Sequence, residues 1–255
     1  MSEGSEVFVS MRNVHQRFGQ QHVLRGVDLD IYRGETLVLL GGSGAGKSVL
    51  MKLICGLMCP VEGSVTVDGE LISCNDEREM VSVRRKVSMM FQGGALFDSL
   101  DVAGNIAFPL IESGIKDEAR IAARVKSALE IVKLSGQEKK MPSDLSGGMR
   151  KRVALARAVV ERPCLVLFDE PHAGLDPITA DTIDHLIKDL QRDHSMTNVV
   201  ITHEIRSVFR IADRVVFMKD GQIYFSGTAE EFKASSDPFL QDFIEGRSTR
   251  EESWE

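Results

Sequence analysis

Gly41-Gly42-Ser43-Gly44-Ala45-Gly46-Lys47-Ser48 decides how this chain is read. The stretch fits G-x-x-x-x-G-K-[ST], the phosphate-binding loop. Its glycines let the turn take φ > 0 and let backbone N–H groups close on an anion. Just upstream, Thr36-Leu37-Val38-Leu39-Leu40 is a short apolar run that predicts a buried strand. Downstream, Val49-Leu50-Met51-Lys52-Leu53-Ile54 predicts a helix, whose N-terminus brings its positive dipole end to the same spot. In such a loop Lys47 reaches the β- and γ-phosphates of a nucleoside triphosphate and Ser48 ligates Mg²⁺. The strand before and the helix after argue against a chance glycine-rich turn.

Outward from the loop, the N-terminal third reads as strands. Val7-Phe8-Val9-Ser10-Met11 alternates, and alternation returns from Val27 to Ile31. Ser64-Val65-Thr66-Val67 predicts a strand ended by the Asp68-Gly69 turn, and residues 87–91 predict another. From Gly93 to Val160 strand signals vanish. Asp117 predicts the cap of a helix in which Ile121, Val125, Leu129 and Val132 share one face and which Gly136 stops. Residues 149–160 predict a second helix. Strands return at 164–168 and 198–202, with helices at 180–193 and 205–212 between and after them. Val215-Val216-Phe217-Met218 and Ile223-Tyr224-Phe225 around Asp220-Gly221 predict a hairpin, and Thr228 with Glu231 a capping box. Beyond Pro238 the chain turns polar and charged, which predicts a mobile tail. No internal repeat is visible, so the chain carries motifs for one nucleotide site.

Bulk properties narrow the classes. At 255 residues, 43% hydrophobic and 27% charged, the chain is an ordinary globular protein able to bury a sizeable core. A net charge of −7 argues against a surface that coats DNA or RNA, so no nucleic-acid partner is expected. Cys55, Cys59, Cys74 and Cys164 form no CxxC pair and have no histidine at zinc-ligand spacing, which predicts reduced thiols in a cytosolic protein. No apolar run approaches the ~18 residues of a membrane span. The acidic, polar start is wrong for a signal peptide. Any membrane role must therefore come through a partner.

Two further constellations carry chemistry. Leu165-Val166-Leu167-Phe168-Asp169-Glu170 is a buried strand ending in two carboxylates, the Walker B arrangement. There Asp169 holds Mg²⁺ and Glu170 polarises the attacking water as general base. Leu145-Ser146-Gly147-Gly148-Met149 precedes a helix bearing Arg150, Lys151 and Arg152, so Ser146, Gly147 and Gly148 offer a second anion site at a helix N-terminus. Set between a phosphate loop and an Asp-Glu strand, this stretch resembles the signature motif of the ATP-binding cassette (ABC) ATPases, with Met149 where Gln is most usual.

The resemblance extends over nearly the whole chain and implies an α/β fold. This is a P-loop NTPase (RecA-like) core with an antiparallel β subdomain and an inserted helical subdomain. The implied boundaries are a domain over 1–236, with core 5–92 and 158–236 and helical subdomain 93–157, then a tail over 237–255. Gln92 sits where the family has its Q-loop glutamine, touching Mg²⁺ and the water. Ala173-Gly174-Leu175-Asp176 looks like the D-loop. Ile201-Thr202-His203-Glu204 looks like the switch, with His203 on the γ-phosphate. Phe18, in Gln16-Arg17-Phe18-Gly19, sits where the family stacks an aromatic on adenine. On residue type alone Phe18 reads as a core aromatic and His203 as a satisfied strand-end histidine. His172, after Pro171, is given no role. The family mechanism implies a head-to-tail homodimer, with ATP between the phosphate loop of one chain and Ser146-Gly147-Gly148 of the other.

Three stretches point to a branch of the family: residues 91–97, residues 141–149, and Ser236-Asp237-Pro238 with Gln241-Asp242-Phe243-Ile244-Glu245-Gly246. They resemble the ATPase subunit of bacterial Mla/Mce phospholipid transporters. The implied partners are permease subunits in the inner membrane (MlaE-like) and a lipid-binding Mce-domain protein. The implied place is cytoplasmic, on the inner face of that membrane. A chromosome or DNA-repair ATPase of this fold would need a long coiled coil in place of the short 93–144 insert. A ribosome-binding ATPase would need two cassettes. A sensor without turnover would lack Glu170 or His203. An importer ATPase for an amino acid or other small solute shares every catalytic motif and stays open.

Overall fold

The computed structural model describes residues 6–73 and 77–247, with side chains given except at 77–79. The readings that fall on residues 1–5, Cys74 and residues 248–255 lie outside the described residues. In chain order the first half is β1 (Val7–Phe18), β2 (Gln21–Tyr32), β3 (Thr36–Gly41), α1 (Lys47–Ile54), β4 (Glu62–Val67), β5 (Glu70–Leu71), α2 (Glu77–Lys86) and β6 (Val87–Met90). Then come α3 (Val102–Glu112), α4 (Glu118–Ile131) and α5 (Gly147–Val159). The last part is β7 (Leu165–Asp169), α6 (Pro177–His194), β8 (Thr197–Ile201), α7 (Ile205–Ile211), β9 (Arg214–Lys219), β10 (Gln222–Thr228), α8 (Ala229–Lys233) and α9 (Pro238–Glu245).

Two sheets result. An antiparallel sheet of four strands runs β2-β1-β4-β5, and a sheet of six runs β10-β9-β3-β8-β7-β6. The second is parallel except for the β9–β10 hairpin. The predicted α/β core with an antiparallel β subdomain is therefore present, and α3 to α5 interrupt the strand series where the helical insertion is expected. Side chains of the parallel strands alternate between two apolar cores. Val38, Leu40, Val166, Phe168, Val200 and Phe217 enter the core under the helices. Leu37, Leu39, Leu165, Leu167, Val199 and Met218 enter the core under α1 and the antiparallel sheet. Covered on both faces, these strands carry no polar alternation. Each fully buried leucine contributes about 1.5–3 kcal/mol.

Local signals explain most boundaries. Asp117 caps α4 and Thr228 caps α8 through a capping box, as read from sequence. Asp220 and Gly221 both take positive φ, 51° and 77°, which suits the right-handed twist of a hairpin. Three readings are corrected. Helix α4 ends at Ile131, because Lys133 turns left-handed at φ 56°; Gly136 lies in the following turn. Helices α2 and α3 add to the elements that the sequence predicts. The polar stretch beyond Pro238 is helix α9 as far as Glu245, capped by Asp237 and seated by Leu240, which is 1% exposed, and by Phe243, whose ring lies 4.8 Å from that of Phe217. Cys55 and Cys164 are free thiols, but Cys59 is disulfide-bonded. Pairing depends on Cα separation in space, which residue spacing along the chain does not reveal.

Candidate functional site

The phosphate loop, the Asp-Glu pair and the switch histidine meet because of sheet register. Leu39 of β3 and Asp169 of β7 both pair with Ile201 of β8, and Met90 of β6 pairs with Phe168. The strands thus end level, and residues 41–48, 92, 169–170 and 202–203 emerge from one edge. That edge is the carboxyl end of a parallel sheet, where α/β proteins place ligands.

Within the loop, Gly41 and Gly46 are required by space as well as by φ. Gly41 takes φ 145°, and a Cβ there would run into the Met218 carbonyl. Gly46 takes φ 100°, and a Cβ there would stand 2.6 Å from Leu24 Cδ2. Gly42, Ser43, Gly44 and Ser48 are exposed, whereas Ala45 and Lys47 are buried. Lys47 Nζ donates to the carbonyls of Gly41 at 2.7 Å and Gly42 at 2.8 Å. Burial lowers the Lys47 pKa, and the charges of Glu170 and Asp169 oppose that shift.

Glu170 stands just past β7 with φ 50°, a left-handed conformation that costs of order 1–3 kcal/mol for a non-glycine residue. Its N–H donates to Ile201 O at 3.0 Å, which holds it there. His203 Nε2 lies 2.9 Å from Glu170 Oε1, and the carboxylate side chain is only 15% exposed. Burial pushes the Glu170 pKa up, while His203 and Lys47 pull it back. Asp169 is raised by burial as well, with Lys47, Lys52 and Lys151 opposing. Gln92 is exposed, but its carbonyl accepts from Lys151 Nζ, which also approaches Glu170 O at 3.4 Å. Phe18 is 48% exposed at the end of β1, so it is not a core aromatic.

The signature segment packs against the D-loop and the start of α6. Ser146 caps α5, accepting from Met149 N at 3.3 Å. A Cβ on Gly148 would strike Thr179, and one on Gly147 would lie 3.9 Å from Leu175. Asp176 caps α6 through the N–H groups of Ile178 at 3.0 Å and Thr179 at 3.1 Å; the Thr179 hydroxyl, with these bonds, holds its pKa low. The basic run after the signature is absorbed by carbonyls: Arg150 on Leu145, Lys151 on Gln92, Arg152 on Val132 and Lys133.

A metal needs oxygen donors here. Among the described residues no group of three or more His, Cys, Asp or Glu side chains could hold an ion. The exposed Ser48 hydroxyl, the half-buried Asp169 carboxylate and the Gln92 amide are hard oxygen donors, too few for a closed site. They suit a magnesium ion completed by water and phosphate oxygens. Sequence reasoning missed Lys151, whose charge was visible but whose carbonyl partners were not. It also passed over His172, which is buried.

Comparison with known proteins agrees with this geometry. Residues 24–173 match the family model described as ABC transporter. The chain is 37% identical over 246 residues to the intermembrane phospholipid transport system ATP-binding protein MlaF of Escherichia coli K12, covering 96% of this chain and 91% of that protein. It is 38% identical to the probable ribonucleotide transport ATP-binding protein mkl of Mycobacterium leprae, covering 94% of this chain and 70% of that one. The solved dimer of the ATP-binding cassette MJ0796, in a post-hydrolysis state bound to ADP and Pi, superposes with a TM-score of 0.78 at 31% identity. That match covers 87% of this chain and 98% of the other.

Proposed function

The chain belongs to the ABC transporter family and hydrolyses ATP as the nucleotide-binding subunit of such a transporter; from that premise we propose that it drives phospholipid transport through a membrane permease. Cassettes of this family work as dimers with permease partners. For this chain the partners are MlaE-like permease subunits and a Mce-domain lipid-binding protein, with the ATPase on the inner face of the bacterial inner membrane. Among the described residues no helix is long and apolar enough to cross a membrane. The observation that carries the lipid reading is the 37% identity to MlaF across 96% of the chain.

The chemistry follows from side chains at the level edge of the sheet. Lys47 and the loop amides bind the β- and γ-phosphates of ATP. Glu170 takes a proton from water as that water's oxygen bonds to the γ-phosphorus. The bond to the β–γ bridging oxygen breaks, leaving ADP and inorganic phosphate. A carboxylate raised by burial yet kept ionisable by His203 and Lys47 is a stronger base than an exposed one. His203 orients Glu170 and meets the γ-phosphate. Ser48, Asp169 and Gln92 would hold Mg²⁺, which supplies charge neutralisation at the phosphates. Ser146, Gly147, Gly148 and Asp176 serve the ATP on the partner's phosphate loop.

The exposed ring of Phe18 is the stacking surface for adenine. Phe18→Ala is expected to raise KM for ATP by a loss of about 1–3 kcal/mol, by analogy with base stacking, with a smaller change in kcat. Steady-state ATPase assays check this, and an unchanged KM would remove Phe18 from the site.

Purification of the chain with its membrane partners, followed by lipid mass spectrometry, tests the substrate class. Phospholipid enriched over a permease-free control is the expected result. A complex that carries no lipid but drives uptake of an amino acid or a nucleotide would replace the lipid reading, and the name of the mycobacterial relative makes nucleotides the solute to try first.

A further inference from the structure

We propose that His172 is a positioning residue, which holds the turn carrying His203 in line with Glu170 through a buried hydrogen bond to Thr202. The proposal rests on the roles given above to Glu170 and His203. Residues 170–172 and 201–204 are tied at three points. Glu170 N donates to Ile201 O at 3.0 Å, His203 Nε2 meets Glu170 Oε1 at 2.9 Å, and His172 Nδ1 lies 3.2 Å from Thr202 Oγ1. The His203 side chain is 56% exposed, so its contact alone holds geometry weakly. The His172–Thr202 bond is buried on both sides, where water does not compete.

His172 Nε2 stands 2.7 Å from Asp184 Oδ1, at ion-pair distance though off the hydrogen-bond line. Asp184 is 1% exposed, and its Oδ2 accepts from Ser207 Oγ at 2.9 Å and Arg210 at 3.2 Å. The ring therefore faces Asp184 with Nε2 and Thr202 with Nδ1. The Thr202 hydroxyl oxygen, hydrogen-bonded to Nδ1, also accepts the Glu204 N–H at 3.1 Å. Asp184 on α6, with Ser207 and Arg210 on α7, anchors the ring. The ring in turn sets Thr202, the residue next to His203. None of these partners is near His172 in sequence.

Two variants separate the two ring nitrogens. His172→Asn keeps a hydrogen-bonding group near the Nδ1 position and loses the group facing Asp184. His172→Gln keeps a polar group facing Asp184 and loses the partner of Thr202. Each gives up one contact, so similar falls in Tm are expected. Turnover and the NMR signal of the His203 ring, assigned by its absence in His203→Ala, are expected to differ between them. In His172→Gln the signal shifts and kcat falls at least about tenfold, since ångström-scale misplacement costs ~10²-fold, while KM for ATP stays within about twofold. In His172→Asn both stay near wild type. A His203 signal at its wild-type position in His172→Gln overturns the inference whatever turnover does. So does an equal shift in both variants. Wild-type turnover in His203→Ala would instead overturn the catalytic role given to His203, and the NMR signal would still decide the positioning.

Discussion

Glu170→Gln is expected to bind ATP normally, to release no phosphate at a measurable rate, and to accumulate as a nucleotide-bound dimer. The substitution keeps the side-chain shape and the left-handed backbone at φ 50°, because Gln and Glu differ little sterically. The N–H bond from residue 170 to Ile201 O does not involve the side chain. The lost property is the ability to take a proton from water. General-base catalysis contributes about 10²–10⁴-fold, so turnover falls by at least that factor. Lys47 and the loop amides are untouched, so ATP affinity stays. Phosphate release and size-exclusion chromatography with and without ATP read the two halves of the prediction. Wild-type phosphate release would take Glu170 out of the base role and leave Asp169 or a second group to supply it.

The second large effect concerns the dimer. Ser146→Arg is expected to leave ATP binding by the monomer intact and to abolish ATP-induced dimerisation. Ser146 and Gly147 are exposed, so the arginine meets no wall within its own chain. Its bulk falls instead where a partner's nucleotide would approach the α5 N-terminus. The variant also loses the helix cap made to Met149 N, a cost of about 1 kcal/mol. Ser146→Ala removes that cap without the bulk and is the matched control, expected to dimerise.

Mixing Ser146→Arg with Lys47→Ala is the sharper measurement. If each ATP lies between two chains, a mixed dimer has one site with both lesions and one with neither. If each site lay within one chain, every site would carry one lesion and the mixture would be inactive. Recovered ATPase activity on mixing is expected. Occlusion of one ATP per mixed dimer in a Glu170→Gln background reads the intact site even when the two sites turn over only together. Mixed dimers that form yet occlude no ATP would count against the shared site.

The residues of the candidate site were legible because their motifs are local. A strand, a glycine loop and a helix are neighbours in the chain, so 36–54 declared the phosphate loop before any contact was known. The apolar run before Asp169-Glu170 and the Asp220-Gly221 hairpin were legible for the same reason. Helix α3 was not, since it is apolar on most sides and has Pro109 inside it, so no 3.6-residue stripe stands out. The charge of the tail predicts mobility, although Asp237 with Pro238 is a cap followed by a first-turn proline, which signals a helix start.

Sequence alone determined the class of fold, the ligand class and the identity of the acids, cations and glycines, because each motif binds or turns through a few consecutive residues. Tertiary structure alone decided which of them touch. The register of β8 between β3 and β7 brings His203 to Glu170. The packing of α5 under the sheet puts Lys151 on the carbonyl of Gln92. The α6–α7 pair buries Asp184 beside His172. The contact between Lys151 and Gln92 joins residues 59 apart, and that between His172 and Thr202 residues 30 apart. Such distances are closed by burial of the two apolar cores, and no local pattern encodes the hydrogen bonds that burial then forces polar groups to make.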